Sequence, residues 1–220
     1  PLSPAPSPEE AEVGGRLTID LAALAANYRL IRTRAGAAEA AAVVKADAYG
    51  IGLEPAVVAL SSAGCRTFFV ALPAEARRLR AIAPEPVVYV LGGLAPDHAG
   101  FYAQMRARPV LGSLDEIEEW ASYCSAQGER LPAAIHVDTG MNRLGLSADD
   151  THRLAAQPDL LAAFDPTLLM SHLACADTPD HPLNGAQVER FSAIRGMLPP
   201  MPASLANSAG TLLGDPFLFD

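Results

Sequence analysis

The chain has 220 residues, half of them hydrophobic, which allows one substantial buried core and excludes disorder over most of the length. Sixteen basic residues against 25 acidic residues give a formal net charge of −9, which argues against nucleic acid as a partner. No run approaches the roughly 18 apolar residues of a membrane span, so we expect a soluble protein without a membrane partner. Cys65, Cys124 and Cys175 are widely spaced without metal-ligand spacing, which indicates a reducing cytoplasm and no metal site.

Residues 1–15 are rich in proline and have neither the basic head nor the apolar run of a secretory signal, so we interpret them as a flexible arm. A short strand is predicted at residues 16–20. A helix is predicted at residues 21–34, where apolar residues recur at helical spacing, and Gly36 is the predicted stop. Strand-like and helix-like segments alternate from there, so residues 16–220 are predicted to form one α/β domain.

The later predicted elements form repeated strand and helix units. The strands lie at residues 40–44, 67–71, 87–91, 109–111, 133–137, 168–171 and 204–206. The helices lie at residues 54–62, 74–83, 97–107, 114–127, 148–156 and 187–198, with none after the last strand. This alternation predicts a parallel sheet of the (β/α)8 TIM-barrel type, with seven of the eight strands that closure requires. A doubly wound open sheet is the alternative, but no Gly-x-Gly-x-x-Gly opens the first helix.

Lys45 directly follows the apolar run of residues 40–44 and opens the string Lys-Ala-Asp-Ala-Tyr-Gly-Ile-Gly. A lysine delivered by a buried strand is a candidate for Schiff-base chemistry, because an unpaired buried ammonium is costly. The glycines of the string allow a tight turn whose N–H groups can hold an anion. The combination suits a phosphorylated aldehyde such as pyridoxal phosphate. For the lysine alone, the alternative is a side chain that extends from the strand end to solvent.

The string at residues 45–52 resembles the cofactor-lysine signature of the alanine racemases, bacterial pyridoxal-phosphate enzymes of fold type III that interconvert L- and D-alanine. Three further segments agree with that family in the expected order. They are Val-Asp-Thr-Gly-Met-Asn-Arg-Leu-Gly at residues 137–145, Ser-His-Leu-Ala at residues 171–174 and Leu-Ala-Asn-Ser-Ala at residues 205–209. The resemblance covers most of the chain and implies the N-terminal barrel portion of such an enzyme, truncated before the eighth strand and without the family's C-terminal β domain.

The resemblance implies that Lys45 binds pyridoxal 5'-phosphate as a Schiff base and exchanges the Cα proton on one face of the substrate. Tyr49 is implied to hydrogen-bond the cofactor phosphate. Asn207 and Ser208 are implied to receive the phosphate beyond the last strand, as barrels commonly arrange. The alternative for Tyr49 is an aromatic side chain at the barrel rim. The alternative for Asn207 and Ser208 is an ordinary turn.

The resemblance also implies roles for residues of the two middle segments. Arg143 is implied to lie near the cofactor phenol oxygen and the substrate carboxylate, a task suited to a planar fork of donors, with Met141 as a further substrate contact. His172 is implied to pack against the pyridine ring. Without the resemblance, Arg143 would be interpreted as a solvated side chain and His172 as a hydrogen-bonded core residue. Asp138 is expected to shape the loop.

Two positions depart from the family pattern. His136 stands where many members carry a lysine, often carbamylated, so the charge that would hold Arg143 must come from elsewhere. Ile51 stands where the turn commonly holds a histidine. The family's opposite-face base, a tyrosine from the partner subunit's C-terminal domain, is also not in this sequence, so we expect the 220-residue chain alone to be inactive or weakly active.

The sequence therefore predicts the barrel portion of an alanine racemase that supplies D-alanine for peptidoglycan of the bacterial cell wall, cytoplasmic and homodimeric in a longer parent. Two alternatives remain open. One is a non-catalytic pyridoxal-phosphate-binding barrel protein. The other is a racemase of another amino acid, such as serine or lysine.

Overall fold

A seven-stranded parallel sheet organises the part of the chain that the computed structural model describes, residues 15–220. Its strands are β1 (Ala42–Val43), β2 (Thr67–Val70), β3 (Val87–Val90), β4 (Arg108–Leu111), β5 (Pro132–His136), β6 (Asp165–Met170) and β7 (Ala203–Ser204). The spatial order follows the chain order, and every neighbouring pair is parallel. The predicted arm, apart from Gly15, lies outside the described residues.

Helices connect the strands and cover the outside of the sheet. They are α1 (Leu21–Ala35), α2 (Lys45–Tyr49), α3 (Leu53–Ser62), α4 (Pro73–Ile82), α5 (Ala99–Gln104), α6 (Leu114–Gln127), α7 (Ala148–Ala155), α8 (Pro158–Ala162), α9 (Pro182–Met197) and α10 (Ser208–Leu213). Side-chain oxygens begin several of them: Asp20 accepts the N–H of Ala23 at 2.9 Å, and Ser113 accepts that of Glu116 at 3.2 Å. Such caps satisfy N–H groups that have no partner inside the helix.

Strands β2 to β5 are buried on both faces beyond their first residue, as a parallel sheet between helices and an enclosed interior requires, whereas Val43 of the edge strand β1 is exposed. A small hydrophobic cluster takes one residue from each of five successive strands: Phe69, Tyr89, Val110, Ala134 and Met170. A larger cluster takes the alternate strand residues together with the apolar faces of the helices. The sheet is therefore curled, with the small cluster on its inner face. The rings of Phe69 and Tyr89 stack there with their centroids 5.0 Å apart.

The predicted fold class is confirmed: a parallel α/β sheet of the barrel type with seven strands in chain order. The edge strands β1 and β7 are not paired with each other in the described residues. The strand predicted at residues 16–20 is wrong, because this segment joins no ladder and its last residue, Asp20, caps α1 instead. α9 begins at Pro182, five residues before its predicted start. Proline is tolerated in the first turn because an N–H there would have no partner inside the helix.

Besides α2, whose residues were predicted as a tight turn, two short helices were not predicted. α10 follows β7 because Asn207 accepts the N–H of Gly210 at 2.9 Å and so begins a helix in a segment with a glycine inside it. α8 begins at Pro158 and ends within five residues. Both helices are too short to produce a recognisable apolar period.

Candidate active site

A cleft of about 940 Å³ lies at the C-terminal ends of the strands and extends between the edge strands. Six of the seven predicted site residues line it: Lys45, Tyr49, Arg143, His172, Asn207 and Ser208. They come from the segments that follow β1, β5, β6 and β7, which meet at one edge of the sheet because all strands are parallel. Met141 is not among the lining residues.

Lys45 is the only lysine among the 220 residues, and the other fifteen basic residues are arginines. It lies two residues after the end of β1, is partly buried, and lines the cleft. A chain that uses arginine for every other cation keeps a primary amine at this one position. Lys45 is therefore the one side-chain amine that the chain offers for Schiff-base chemistry.

The backbone after Lys45 makes a left-handed turn, so α2 is not an ordinary α-helix. Ala46, Asp47 and Ala48 have φ angles of 52°, 56° and 53°, and Tyr49 follows with 56°. Each L-residue in this conformation costs roughly 1–2 kcal/mol. Four in succession persist only where surrounding contacts hold them.

An ion-pair network holds the middle of this left-handed turn. The carboxylate of Asp47 accepts the N–H of Leu53 at 3.1 Å and pairs with Arg78 at 2.8 Å. Arg78 also pairs with Glu54 at 2.8 Å, so α4 is joined to the turn and to α3. The hydrogen bond from Leu53, followed by that from Arg78, lowers the pKa of Asp47. At neutral pH, Asp47 is thus a charged anchor for the turn.

Ile51, the second departure from the family pattern, packs against the main hydrophobic cluster. An apolar contact thus replaces whatever hydrogen bond a histidine would make at that position. The structure assigns Ile51 to packing of the turn and not to the lining of the cleft.

Arg143 belongs to a loop whose shape Asp138 determines. One carboxylate oxygen of Asp138 accepts the N–H groups of Gly140 and Met141 at 2.9 Å and of Asn142 at 3.1 Å. Asp138 therefore shapes the loop as expected, since a short carboxylate side chain readily satisfies turn amides. Met141 contributes its amide to this arrangement, while Arg143, two residues on, reaches the cleft.

Two histidines lie beside each other in the cleft. His136, at the end of β5, is 9 % exposed, and its pKa falls to about 4, first because of burial and then because of the nearby His172. Burial also lowers the pKa of His172, with contributions from the positive charges of Arg143 and Lys45. Both imidazoles are thus neutral at neutral pH, and His136 cannot supply the negative charge that a carbamylated lysine would place near Arg143.

The pKa of His136 predicts that the folded protein loses stability in acid. The unfolded chain takes up this proton near the ordinary value of 6.5 and the folded chain only at about 4, so the unfolded state binds more protons between these values. The free energy of unfolding should fall by about 3 kcal/mol as the pH drops through this window. A His136→Gln variant should lack this part of the loss in denaturant titrations between pH 7 and pH 4. If the free energy of unfolding fell equally with pH in both proteins, the prediction would be contradicted.

Asn207 and Ser208 lie where the chain leaves β7. Asn207 uses its side-chain oxygen to cap α10, and its backbone oxygen accepts the hydroxyl of Thr211 at 2.9 Å. Ser208, the first residue of α10, is exposed at the cleft, as is Tyr49. Two side chains with hydroxyl groups thus line the cleft, whereas the side-chain oxygen of Asn207 is engaged in the cap.

Residues 15–220 contain no group of three His, Cys, Asp or Glu side chains that could hold a metal ion. The helices of the same residues include none that is long and apolar enough to cross a membrane.

The protein is a parallel α/β barrel with a lysine in the cleft at the C-terminal edge of its sheet. One arginine loop and two neutral histidines complete this cleft. Residues 19–220 match the family described as "Alanine racemase, N-terminal domain", and the chain belongs to this family. The resemblance drawn from four sequence segments is thereby confirmed.

Relatives with known names agree with the family. The chain is 55 % identical over 201 residues to the alanine racemase of Methylobacterium nodulans, covering 91 % of this chain and 54 % of the relative. It is 45 % identical over 214 residues to that of Rhizobium meliloti, covering 97 % of this chain and 56 % of the relative. The chain thus spans about half the length of the curated relatives it matches.

A solved structure agrees with the fold. The crystal structure of alanine racemase from Bartonella henselae with covalently bound pyridoxal phosphate superimposes with a TM-score of 0.90 at 39 % identity. The match covers 92 % of this chain and 59 % of that one.

Proposed function

We propose that the chain carries the lysine side of an alanine racemase active site, in which L-alanine and D-alanine are interconverted with pyridoxal 5'-phosphate. The place of Lys45 carries this proposal. The only lysine side chain of the sequence lies at the end of β1, in a cleft that Arg143 and His172 also line. Family membership and the names of the relatives support the same activity.

The residues of the cleft fit pyridoxal phosphate by their chemistry. The amine of Lys45 can bond to an aldehyde, the hydroxyls of Tyr49 and Ser208 can donate to a phosphate, and the ring of His172 can pack against a pyridine. Asn207 lines the cleft and caps α10, whose first residue is Ser208. When bound, such a cofactor withdraws electrons from the Cα of an amino acid and makes its proton easier to remove.

Within this proposal, each side chain has a role that its chemistry allows. Lys45 takes the Cα proton from one face of the substrate and can return it there, as an amine within reach of that face. Arg143 binds the substrate carboxylate through its planar fork of N–H donors. His172 is neutral, so it packs beside the ring without adding a charge. Met141 stays a predicted substrate contact, although it does not line the cleft.

Racemisation requires a proton donor on the opposite face, since a single base returns the proton to the side it left. Lys45 is the amine of the described cleft, and the lowered pKa of both histidines there makes their imidazoles weak bases. We therefore assign the second base to a residue of a second copy of the protein in a homodimer, as the resemblance implies. The product would be D-alanine for peptidoglycan, made in the cytoplasm. The 220-residue chain alone should racemise alanine weakly or not at all.

An absorbance spectrum with added pyridoxal phosphate, followed by borohydride reduction and peptide mapping, tests the cofactor assignment. Because Lys45 is the only lysine of the 220 residues, the N-terminus is the one other amine that could compete for the aldehyde. The label is expected on the peptide that contains residue 45. A label only at the N-terminus would contradict the proposal.

Chiral chromatography of alanine incubated with the protein at the full length that its gene encodes tests the reaction. L-alanine should be converted to a mixture of both enantiomers, with a higher kcat/KM than serine or lysine. Cofactor capture without racemisation of any amino acid would favour the alternative of a non-catalytic pyridoxal-phosphate-binding barrel.

A further inference from the structure

Three helix side chains join neighbouring loops at the edge of the sheet that carries the cleft. Glu75 of α4, Glu116 of α6 and Gln187 of α9 belong to helices that follow β2, β4 and β6. Each side chain hydrogen-bonds to the loop directly before its own helix. Each also hydrogen-bonds to the corresponding loop of the neighbouring strand that comes earlier in the chain, which is β1, β3 or β5. The loops are thereby fastened in pairs, each pair by one side chain.

Glu75 fastens the loop that begins with Lys45. One oxygen of its carboxylate accepts the N–H of Ala46 at 2.6 Å. The other oxygen accepts the N–H groups of Ala71 at 2.8 Å and Leu72 at 3.0 Å, in the loop before α4. Hydrogen bonds from N–H groups to an ionised carboxylate are among the stronger ones in proteins.

Glu116 makes the corresponding contacts two strands further along the sheet. Its carboxylate accepts the N–H of Gly112 at 2.6 Å and that of Leu94 at 3.1 Å. Neither of the loops that it joins carries a lysine. Glu116 therefore provides the same kind of fastening without the amine.

The hydrogen bond from Ala46 restricts the conformation of Lys45 itself. The N–H of Ala46 belongs to the planar peptide unit that includes the carbonyl of Lys45, so holding this N–H limits the ψ angle of Lys45. On the other side, the N–H of Val44 donates to the carbonyl of Phe69 at 2.8 Å. The residues on either side of Lys45 are thus attached to β2 and to the helix that follows it.

We propose that Glu75 is a positioning residue for Lys45: by fixing the Lys45–Ala46 peptide at the start of the left-handed turn, it directs the amine into the cleft. The inference deepens the proposed function and rests on it for the use of the amine. The positioning role itself does not depend on which reaction Lys45 then takes part in. It assigns a role to a residue that neither lines the cleft nor belongs to the four segments of the family resemblance.

Glu75→Gln is the sharpest change, because glutamine has nearly the same shape but only one acceptor oxygen, and its amide nitrogen directs donors at N–H groups. It cannot satisfy the three N–H groups that Glu75 accepts. Glu116→Gln is the matched control, with the same chemical change in the equivalent place. Glu75→Asp is a milder second variant that keeps a carboxylate beside its own loop but is one methylene too short for Ala46.

The test uses the single lysine as its own probe. Protein labelled only with 15N-lysine gives one backbone amide signal, that of Lys45, in a 1H–15N NMR spectrum. Glu75→Gln and Glu75→Asp should displace or broaden this signal, while Glu116→Gln should leave it in place. An unmoved signal in both Glu75 variants would overturn the inference, whether or not any cofactor binds.

The rate of borohydride-trapped capture of pyridoxal phosphate at Lys45 links this position to function. Glu75→Gln should slow capture about 10- to 100-fold, the scale of loss when a reacting group is misplaced slightly, and Glu116→Gln by less than about twofold. Equal slowing in the two variants would reduce Glu75 to a merely structural role and overturn the inference. Absence of capture in the unsubstituted protein would instead contradict the proposed function, and the NMR signal would still decide the role of Glu75.

Discussion

Replacing Lys45 by arginine is expected to abolish covalent capture of pyridoxal phosphate by this protein. Arginine keeps the positive charge and much of the length of the side chain, but its guanidinium stays protonated and cannot act as a nucleophilic amine. In the protein at the full length that its gene encodes, alanine racemisation should fall by on the order of 10³-fold or more, as when an essential catalytic group is removed. Borohydride trapping and chiral chromatography measure the two effects.

The chain offers a control that keeps the number of lysines at one. Arg29 lies exposed on α1 and makes no ion pair among the described residues, so Lys45→Arg combined with Arg29→Lys moves the lysine to the surface. The double variant should capture no more cofactor than Lys45→Arg alone. Capture in the double variant at the rate of the unsubstituted protein would mean that any lysine suffices and that the cleft confers nothing.

Lys45 could be predicted from the sequence because its signals are local. An apolar strand, a lysine and a glycine turn follow one another within residues 40–52, and the strand-then-helix rhythm places the strand end at the functional edge of a barrel. The Arg143 and His172 segments follow the same logic. Parallel strands bring their C-terminal ends together, so residues far apart in sequence meet without any contact having to be predicted.

The left-handed turn could not be predicted in this way. Alanine and tyrosine at residues 46, 48 and 49 disfavour positive φ angles, so their own preferences argue against the observed conformation. The contacts that hold it come from Glu75 and Arg78, 29 and 31 residues away from their partners in the turn. A side chain that acts over such a separation, outside any recognised segment, leaves no local pattern to interpret.

The place of Met141 shows a related limit. Its neighbour Arg143 lines the cleft, and the family resemblance implied that Met141 would contact the substrate beside it. The loop bends within these residues, because one oxygen of Asp138 gathers three successive amides. Which residues of such a loop face a cleft depends on its backbone path, and sequence spacing does not determine that path outside regular helices and strands.

The loop that carries Arg143 closes on itself at a glycine, which makes Gly145→Ala the second change with a large expected effect. The N–H of Leu146 donates to the carbonyl of His136 at 2.8 Å, and the N–H of Asp138 donates to the carbonyl of Leu146 at 2.9 Å. Gly145 directly precedes Leu146, the residue that makes both bonds, and its φ angle is 105°. A Cβ at Gly145 would lie 2.8 Å from backbone atoms of both Val137 and Asp138.

A methyl group at Gly145 therefore meets the peptide bond between Val137 and Asp138, in a conformation that L-residues avoid, and backbone cannot rotate away as a side chain can. We expect Gly145→Ala to lower the free energy of unfolding by roughly 3 kcal/mol or to break the two bonds that close the loop. Gly185→Ala, at an exposed position in α9 with no atom within 4 Å of the added carbon, should be neutral or stabilising by about 0.5–1 kcal/mol. Denaturant titrations of both variants measure the difference, and equal stabilities would show that the loop tolerates a side chain at residue 145.

Because Arg143 lies two residues before this glycine, a loop that opens to accept the methyl group would also withdraw the guanidinium from the cleft. In the full-length protein, KM for alanine should then rise even under conditions where the variant stays folded.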